Sequence, residues 1–204
     1  MENTSSNILH LSGEIGSPIE YSHESHNTKF YTFKLRSRRL SGTFDIINAI
    51  IREELLAEYD LKEGLFITTV CELRSFNRKT ENGNKLIITA YIKELSISEI
   101  EFHENELTLT GTICKSPVLR ETPLGREICD IMLATNRKYG RSDYLPLIIW
   151  GRNARRAYQF DTGDKITVCG RIQSREYIKI TDGSETLKTT YEVSVSSIEE
   201  YSEE

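Results

Sequence analysis

The sequence predicts an all-β chain built as two tandem small barrels, and three observations lead there. Short blocks recur at one offset of 98 residues: Leu9-His10-Leu11-Ser12-Gly13-Glu14-Ile15 parallels Leu107-Thr108-Leu109-Thr110-Gly111-Thr112-Ile113. Phe33-Lys34-Leu35-Arg36-Ser37 falls on Ile131-Met132-Leu133-Ala134-Thr135, and Thr69-Val70-Cys71 on Thr167-Val168-Cys169. Apolar residues alternate with polar ones at period two through most of the second half, the signature of strands with one buried face. Each half also carries a single segment that reads as helical.

In the second copy, strands are expected near 107–114, 127–136, 143–150, 165–175 and 188–198. Thr122-Pro123-Leu124-Gly125 forms a turn between the first two. Asn153 to Phe160 reads as a helix between the third and fourth strands, with Asn153 as its N-cap. Asp182-Gly183, and Asn82-Gly83 in the first copy, are hairpin turns before the last strand. In the first copy, Ile50 to Tyr59 is the matching helix, longer and richer in Glu. Five strands with a helix between the third and fourth is the order of the OB fold, a five-stranded Greek-key barrel that commonly binds oligonucleotides. The mostly polar run from Glu94 to Glu106 separates the copies. This places one domain over 1–98, a linker over 99–106, a second domain over 107–198 and a short acidic end over 199–204.

Composition narrows the function classes. The 204 residues hold 26 Lys and Arg against 31 Asp and Glu, a net charge of −5, so bulk attraction to polyanions is not the default. The charge is unevenly spread: residues 1–106 carry 12 basic and 17 acidic side chains, whereas residues 107–198 carry 14 and 10. No run approaches the roughly 20 apolar residues of a membrane span. The first residues show no basic segment followed by an apolar one, so no signal peptide is expected. The four cysteines, at 71, 114, 129 and 169, have no CxxC spacing, which fits a reducing cytosol.

Parity along the strands separates core from surface. Leu145, Leu147 and Ile149 suit the core; Tyr144, Pro146, Ile148 and Trp150 share the other face. Ile166, Val168, Gly170 and Ile172 suit the core; Lys165, Thr167, Cys169, Arg171, Gln173, Arg175 and Tyr177 face away. Singly, these residues have ordinary explanations: Trp150 at a barrel corner, Tyr144 half-buried in a strand, Arg171 and Arg175 on a solvated face. Together they interleave aromatics with arginines. An aromatic ring can stack on any base for about 1–3 kcal/mol, and arginines beside the track neutralise phosphates and release counterions.

Residues 107–198 resemble the bacterial single-stranded-DNA-binding proteins, an OB-fold family of replication, repair and recombination. The resemblance rests on Gly111, Thr122-Pro123-Leu124-Gly125, Leu133-Ala134-Thr135, Asp143-Tyr144, Trp150-Gly151, Gly163-Asp164, Gly170 to Arg175 and Tyr191-Glu192-Val193. It implies sequence-nonspecific binding of single-stranded DNA in a cytoplasmic, nucleoid-associated protein. Tyr139, Tyr144 and Tyr177 stand where the family often has tryptophan, and Trp150 where it often has phenylalanine. Arg137, Lys138, Arg171 and Arg175 fall near the family's phosphate track. Family members usually carry one barrel per chain and assemble four; with two barrels, a homodimer would present the same number. They usually end in a long tail with an acidic, apolar tip that docks partner enzymes. Here the chain closes on Glu199-Glu200-Tyr201-Ser202-Glu203-Glu204, so recruitment of replication partners in that way is not expected.

The first copy resembles the family weakly. Thr43 to Ile51 and Leu65 to Cys71 are apolar on both parities, which predicts strands buried on both faces and an assembly role. The competing expectation is a second DNA-contact region: Arg36, Arg38 and Arg39 as its basic loop, with Phe44 and Phe76 near the positions of Tyr144 and Tyr177. His23-Glu24-Ser25-His26 lacks the spacing of a zinc helix, and no phosphate-binding GxxxxGK[ST], GxGxxG or GxSxG is present. The sequence therefore predicts no enzyme, cofactor or metal. Two rival readings remain: an RNA-binding OB protein, since stacking does not distinguish RNA from DNA, and a protein-interaction module that has lost nucleic-acid binding.

Overall fold

Each barrel closes at a glycine where two strands run too close for a side chain. A computed structural model describes residues 7–80, 83–137, 140–181 and 184–202. In the first copy, β1 (Asn7–Ile15), β3 (Thr28–Arg38), β4 (Phe44–Arg52), β5 (Phe66–Thr80) and β6 (Gly83–Ser98) make the barrel. In the second, these are β7 (Asn105–Ile113), β9 (Glu127–Asn136), β10 (Ser142–Trp150), β11 (Lys165–Thr181) and β12 (Ser184–Glu200). β1 turns from β5 onto β3 at Glu14↔Arg36, and β7 turns from β11 onto β9 at Thr112↔Ala134. A Cβ on Gly13 would meet the Arg36 carbonyl oxygen at 2.2 Å, and one on Gly111 the Ala134 oxygen at 2.5 Å. Any other residue at these positions would push the closing strands apart. Parallel pairs, β4 with β6 and β10 with β12, complete the Greek-key order. Two tandem OB barrels are thus present.

Two short strands extend the predicted five. β2 (Glu20–Ser25) pairs with β3, and β8 (Val118–Glu121) pairs with β9 across the Thr122-to-Arg126 turn. The β5–β6 and β11–β12 hairpins run as far as Thr80↔Gly83 and Thr181↔Ser184; their predicted turn residues Asn82, Asp182 and Gly183 lie outside the described residues.

Several boundaries differ from the expectation. The first helix, α1, is only Glu53–Leu56. Ile50, Ile51 and Arg52 belong to β4, paired with Thr32, Tyr31 and Phe30, and Ile51 is fully buried. Tertiary pairing of two β-branched residues outweighs the helical pattern. The second helix, α2, is Arg152–Ala157. Asn153 is not its N-cap: Gly151 holds that position at φ +59, and the Asn153 amide donates to the Ser196 carbonyl at 2.8 Å. β7 begins inside the expected linker, because Asn105 pairs with Leu11 of β1. β12 runs into the expected acidic end, with Glu199 opposite Thr167 and Glu200 opposite Ile166. The outer face of β4 is not buried: Phe44 is exposed, and Ile46, Asn48 and Ile50 are half-buried.

The two barrels join edge to edge through β1 and β7. Their antiparallel register, Asn7↔Leu109, Leu9↔Leu107 and Leu11↔Asn105, is symmetric about the Leu9–Leu107 pair. Both leucines are almost wholly buried, and one core cluster runs through both barrels. Asn7 and Asn105 act alike on either side: each amide donates to a carbonyl, of Leu73 and Ile172, and accepts that residue's own N–H. Among the described residues, no helix is long and apolar enough to cross a membrane.

Candidate nucleic-acid interface

Alternation in β10 carries the interface. Leu145, Leu147 and Ile149 fill the barrel, as their parity requires, so Tyr144 and Trp150 stand outside at 49% and 39% exposure. Between them Pro146 and Ile148 floor a groove that Arg120, Asp130, Arg175 and Glu192 also line. Trp150 ends β10 beside a shallow depression formed with Arg126, Glu127 and Arg155. On β11, Tyr177 is 41% exposed, and the Arg175 guanidinium lies 6.0 Å from its ring centroid.

Charges in the groove are partly compensated. Arg120 forks onto Asp130, and Arg175 approaches the buried Glu192 at 3.7 Å. Gln173, expected on the outer face, is buried and donates to Glu192 at 2.7 Å. The register of β11 on β12 shifts between Cys169 and Gly170, where Ser196 of β12 is the extra residue. Arg171 is half-buried, and its Nε has no hydrogen-bond partner.

The structure gives Arg137 another partner than a phosphate. Its Nε donates to Asp143 at 2.6 Å, and its Nη2 donates to Asp143 and to the Ser75 carbonyl of the first barrel at 2.9 Å. Asp143 is fully buried and also takes Arg74 at 3.2 Å and the Ser75 N–H. The same construction recurs 98 residues earlier. Arg39 forks onto buried Asp45 at 2.8 and 2.5 Å and reaches the Ser174 carbonyl of the second barrel at 3.1 Å. Ser174 N–H donates to Asp45 at 2.8 Å, and the Ser174 hydroxyl accepts Ile46 N–H at 3.0 Å; Ser75 accepts Tyr144 N–H at 2.7 Å. These are two symmetric latches between barrels. The Ser75 hydroxyl therefore fixes the backbone of Tyr144 from the neighbouring domain.

Other expected residues are dispersed. Lys138 and Tyr139 lie outside the described residues. Arg36 pairs with Glu14 at 3.0 Å and lies over Phe44 at 4.6 Å. Arg38 pairs with Glu101 at 3.5 Å. Arg36, Arg38 and Arg39, the arginines expected as a basic loop of the first copy, thus each face a carboxylate. Phe76 is exposed on β5. β11 is offset by 99 from β5 along its length, Lys165 matching Phe66 and Ile172 matching Leu73 beside Asn105 and Asn7, so Phe76 holds the place of Arg175. Ile46, not Phe44, holds the place of Tyr144. The latch residues Asp45, Asp143, Ser75 and Ser174 escaped the sequence reading. Their one visible signal was the recurrence of Arg and Asp, six apart, in both copies.

Residues 104–201 match the model of the Single-strand binding protein family. Single-stranded DNA-binding protein B of Bacillus subtilis is 32% identical over 80 residues, covering 36% of this chain and 71% of that protein. The chain belongs to the single-strand binding protein family. A Clostridium tetani single-stranded DNA-binding protein is 31% identical over 80 residues, which are 55% of its length. The chain spans about half the length of the first of these curated relatives, at 55% and 50%. The crystal structure of the wild-type single-stranded DNA binding protein from Thermus aquaticus covers 97% of this chain and 94% of its own, with a TM-score of 0.78 at 17% identity. That likeness is one of fold, and it spans both barrels.

Proposed function

We propose that the chain binds single-stranded DNA without sequence preference, by stacking bases on Tyr144, Trp150 and Tyr177 and placing phosphates against Arg171 and Arg175. The observation that carries this reading is the groove along β10, floored by Pro146 and Ile148 and edged by Arg120 and Arg175, with Tyr144 and Trp150 exposed further along the same strand on either side. An apolar floor with aromatic ends holds bases, and a cationic edge holds the backbone. Arg137 is left out of the contact set because Asp143 already compensates its charge. Lys138 and Tyr139, next to Arg137 in the sequence, are assigned to it as well. Family membership and the curated relatives support the substrate. Coating exposed strands in replication, repair or recombination follows as the role, without chemistry, in the cytoplasm alongside the nucleoid.

A homodimer presenting four barrels is the proposed assembly. Light scattering should give twice the chain mass of 23.5 kDa; the mass of one chain would refute it. One observation favours a protein-interaction module instead: Asp130 and Glu192 sit in the groove itself. Oligonucleotide titration separates the readings. Tyr144→Ala combined with Trp150→Ala should abolish most of the affinity for oligo(dT) while the melting temperature holds. Unchanged affinity in the folded double variant would remove this groove from the contact set. Competition between matched DNA and RNA strands decides the preference between them.

A further inference from the structure

The strand that carries Tyr144 is held in place from the other barrel. β10 pairs with β9 from Ser142 to Trp150, and with β12 at Leu147, Ile148 and Ile149. Ahead of that parallel pair, Pro146 has no N–H to offer, and the Tyr144 N–H donates to the Ser75 hydroxyl at 2.7 Å. The other polar groups of Ser75 go to the same segment. Its N–H donates to Asp143, and its carbonyl accepts Arg137 at 2.9 Å. One residue of β5 thus gives its N–H, its carbonyl and its hydroxyl to Asp143, Arg137 and Tyr144. Ser75 is buried, so it acts on a ligand only through what it holds.

The matching latch holds a different side chain. The Ser174 hydroxyl accepts the Ile46 N–H at 3.0 Å, and Ile46 has no ring to stack on a base. The latches also differ in their support. Arg74, beside Ser75, donates to Asp143 at 3.2 Å. Its counterpart beside Ser174 is Gln173, which donates to Glu192 instead. The reinforced latch is the one behind Tyr144. A ring already held in its bound position loses less freedom when a base arrives, and that raises affinity without any new contact.

We infer that Ser75 of the first barrel is a positioning residue for the base-stacking Tyr144 of the second. The inference rests on the proposed function, which makes Tyr144 a stacking ring. It gives the first barrel a part in binding at the groove of the second, through a residue that does not touch the strand. The support runs one way, because Ser174 returns it to an isoleucine.

The test uses the full chain, oligo(dT) and the fluorescence of Trp150, the single tryptophan, which stands on the same strand as Tyr144. Ser75→Ala removes the acceptor of one hydrogen bond and should weaken binding about threefold to tenfold. The salt slope should hold, because no phosphate contact is lost. Ser174→Ala removes the matching acceptor and should bind as the wild type does, whatever it does to the denaturant midpoint. Ser75→Cys keeps the bulk of the side chain with a weaker acceptor; it should act as Ser75→Ala does and guards against poor folding of that variant. On a Tyr144→Ala background, Ser75→Ala should weaken binding no further. Positioning requires that non-additivity, whereas a general structural role gives the same loss on both backgrounds. Three results would each overturn the inference: wild-type affinity in Ser75→Ala and Ser75→Cys, equal losses in Ser75→Ala and Ser174→Ala, or an undiminished loss on the Tyr144→Ala background. With Tyr144→Ala itself weaker than wild type, the proposed function stands in all three cases. Wild-type affinity in Tyr144→Ala would instead remove the stacking role, and the inference with it.

Discussion

The two barrels keep the same joints and differ in their faces. Each has a closing glycine, an asparagine bridging to the backbone of the long fourth barrel strand, β5 or β11, and an Arg–Asp fork that reaches the other barrel. Their outer faces have little in common: Tyr144, Pro146 and Trp150 on one stand where Ile46, Asn48 and Arg52 stand on the other. Buried polar joints tolerate little change, because a partner left unpaired in the interior costs more than the pair contributes. A solvent-facing strand surface carries no such penalty. The duplication could therefore diverge in what it touches while holding the angle between its halves.

The largest expected effect falls on the shared joints. Asp143→Asn leaves Arg137 uncompensated and takes from Arg74 one of its two carboxylates, Glu72 remaining, and it should cost about 3–5 kcal/mol, read as a drop in the denaturant midpoint. Asp45→Asn should cost less, because Arg39 is the one arginine bonded to it. Equal losses would mean that Arg74 adds nothing and that the two latches are equivalent.

Next comes the groove. Stacking of about 1–3 kcal/mol per base makes Trp150→Ala alone worth a loss of roughly 5-fold to 150-fold in affinity for oligo(dT). Arg175→Ala should flatten the salt slope by about 0.7 with a smaller loss of affinity, since Glu192 already shares its charge. The smallest effect concerns Arg36. Glu14 and Phe44 hold its guanidinium at the surface, so Arg36→Ala should change stability by less than about 1 kcal/mol.

The cysteines sharpen the contrast between core and surface. Burial pushes the Cys71 thiol up to about 12 and the Cys129 thiol up to about 11. At pH 8 both stay protonated and should resist alkylation until the chain unfolds, while exposed Cys169 reacts in the native state. Raising the pH favours the thiolate, so protection of Cys129 should fail before that of Cys71. Mass spectrometry of iodoacetamide adducts checks the order.

The fold was legible because its signals are local. Period-two alternation marks Leu145, Leu147 and Ile149 as core, and the 98-residue repeat announces the duplication before any contact is known. The exposure of Tyr144, Trp150 and Tyr177 follows from the same parity. What stayed hidden depends on distant partners. Nothing near Arg137 in the chain indicates that Ser75 lies within reach of its guanidinium, and nothing near Arg39 indicates Ser174. One residue more between β10 and β11 than between β4 and β5 makes the offset of β11 99 rather than 98, so Phe76 holds the place of Arg175 and not that of Tyr177. Net charge misled in a different way: the first copy is acidic overall, yet Arg52, Lys34, Lys85 and Lys93 share its open sheet face. A sum over a domain says nothing of the side on which its charges stand.

The most direct measurement is the fluorescence of Trp150, the single tryptophan, during titration with oligo(dT) at low and at high salt. Quenching that saturates, and that weakens as salt rises, is the predicted result, because bases would stack at the end of the groove while phosphates displace counterions. An unchanged Trp150 signal, under conditions where a mobility shift also shows no complex, would contradict the account and turn the groove over to the protein-interaction reading.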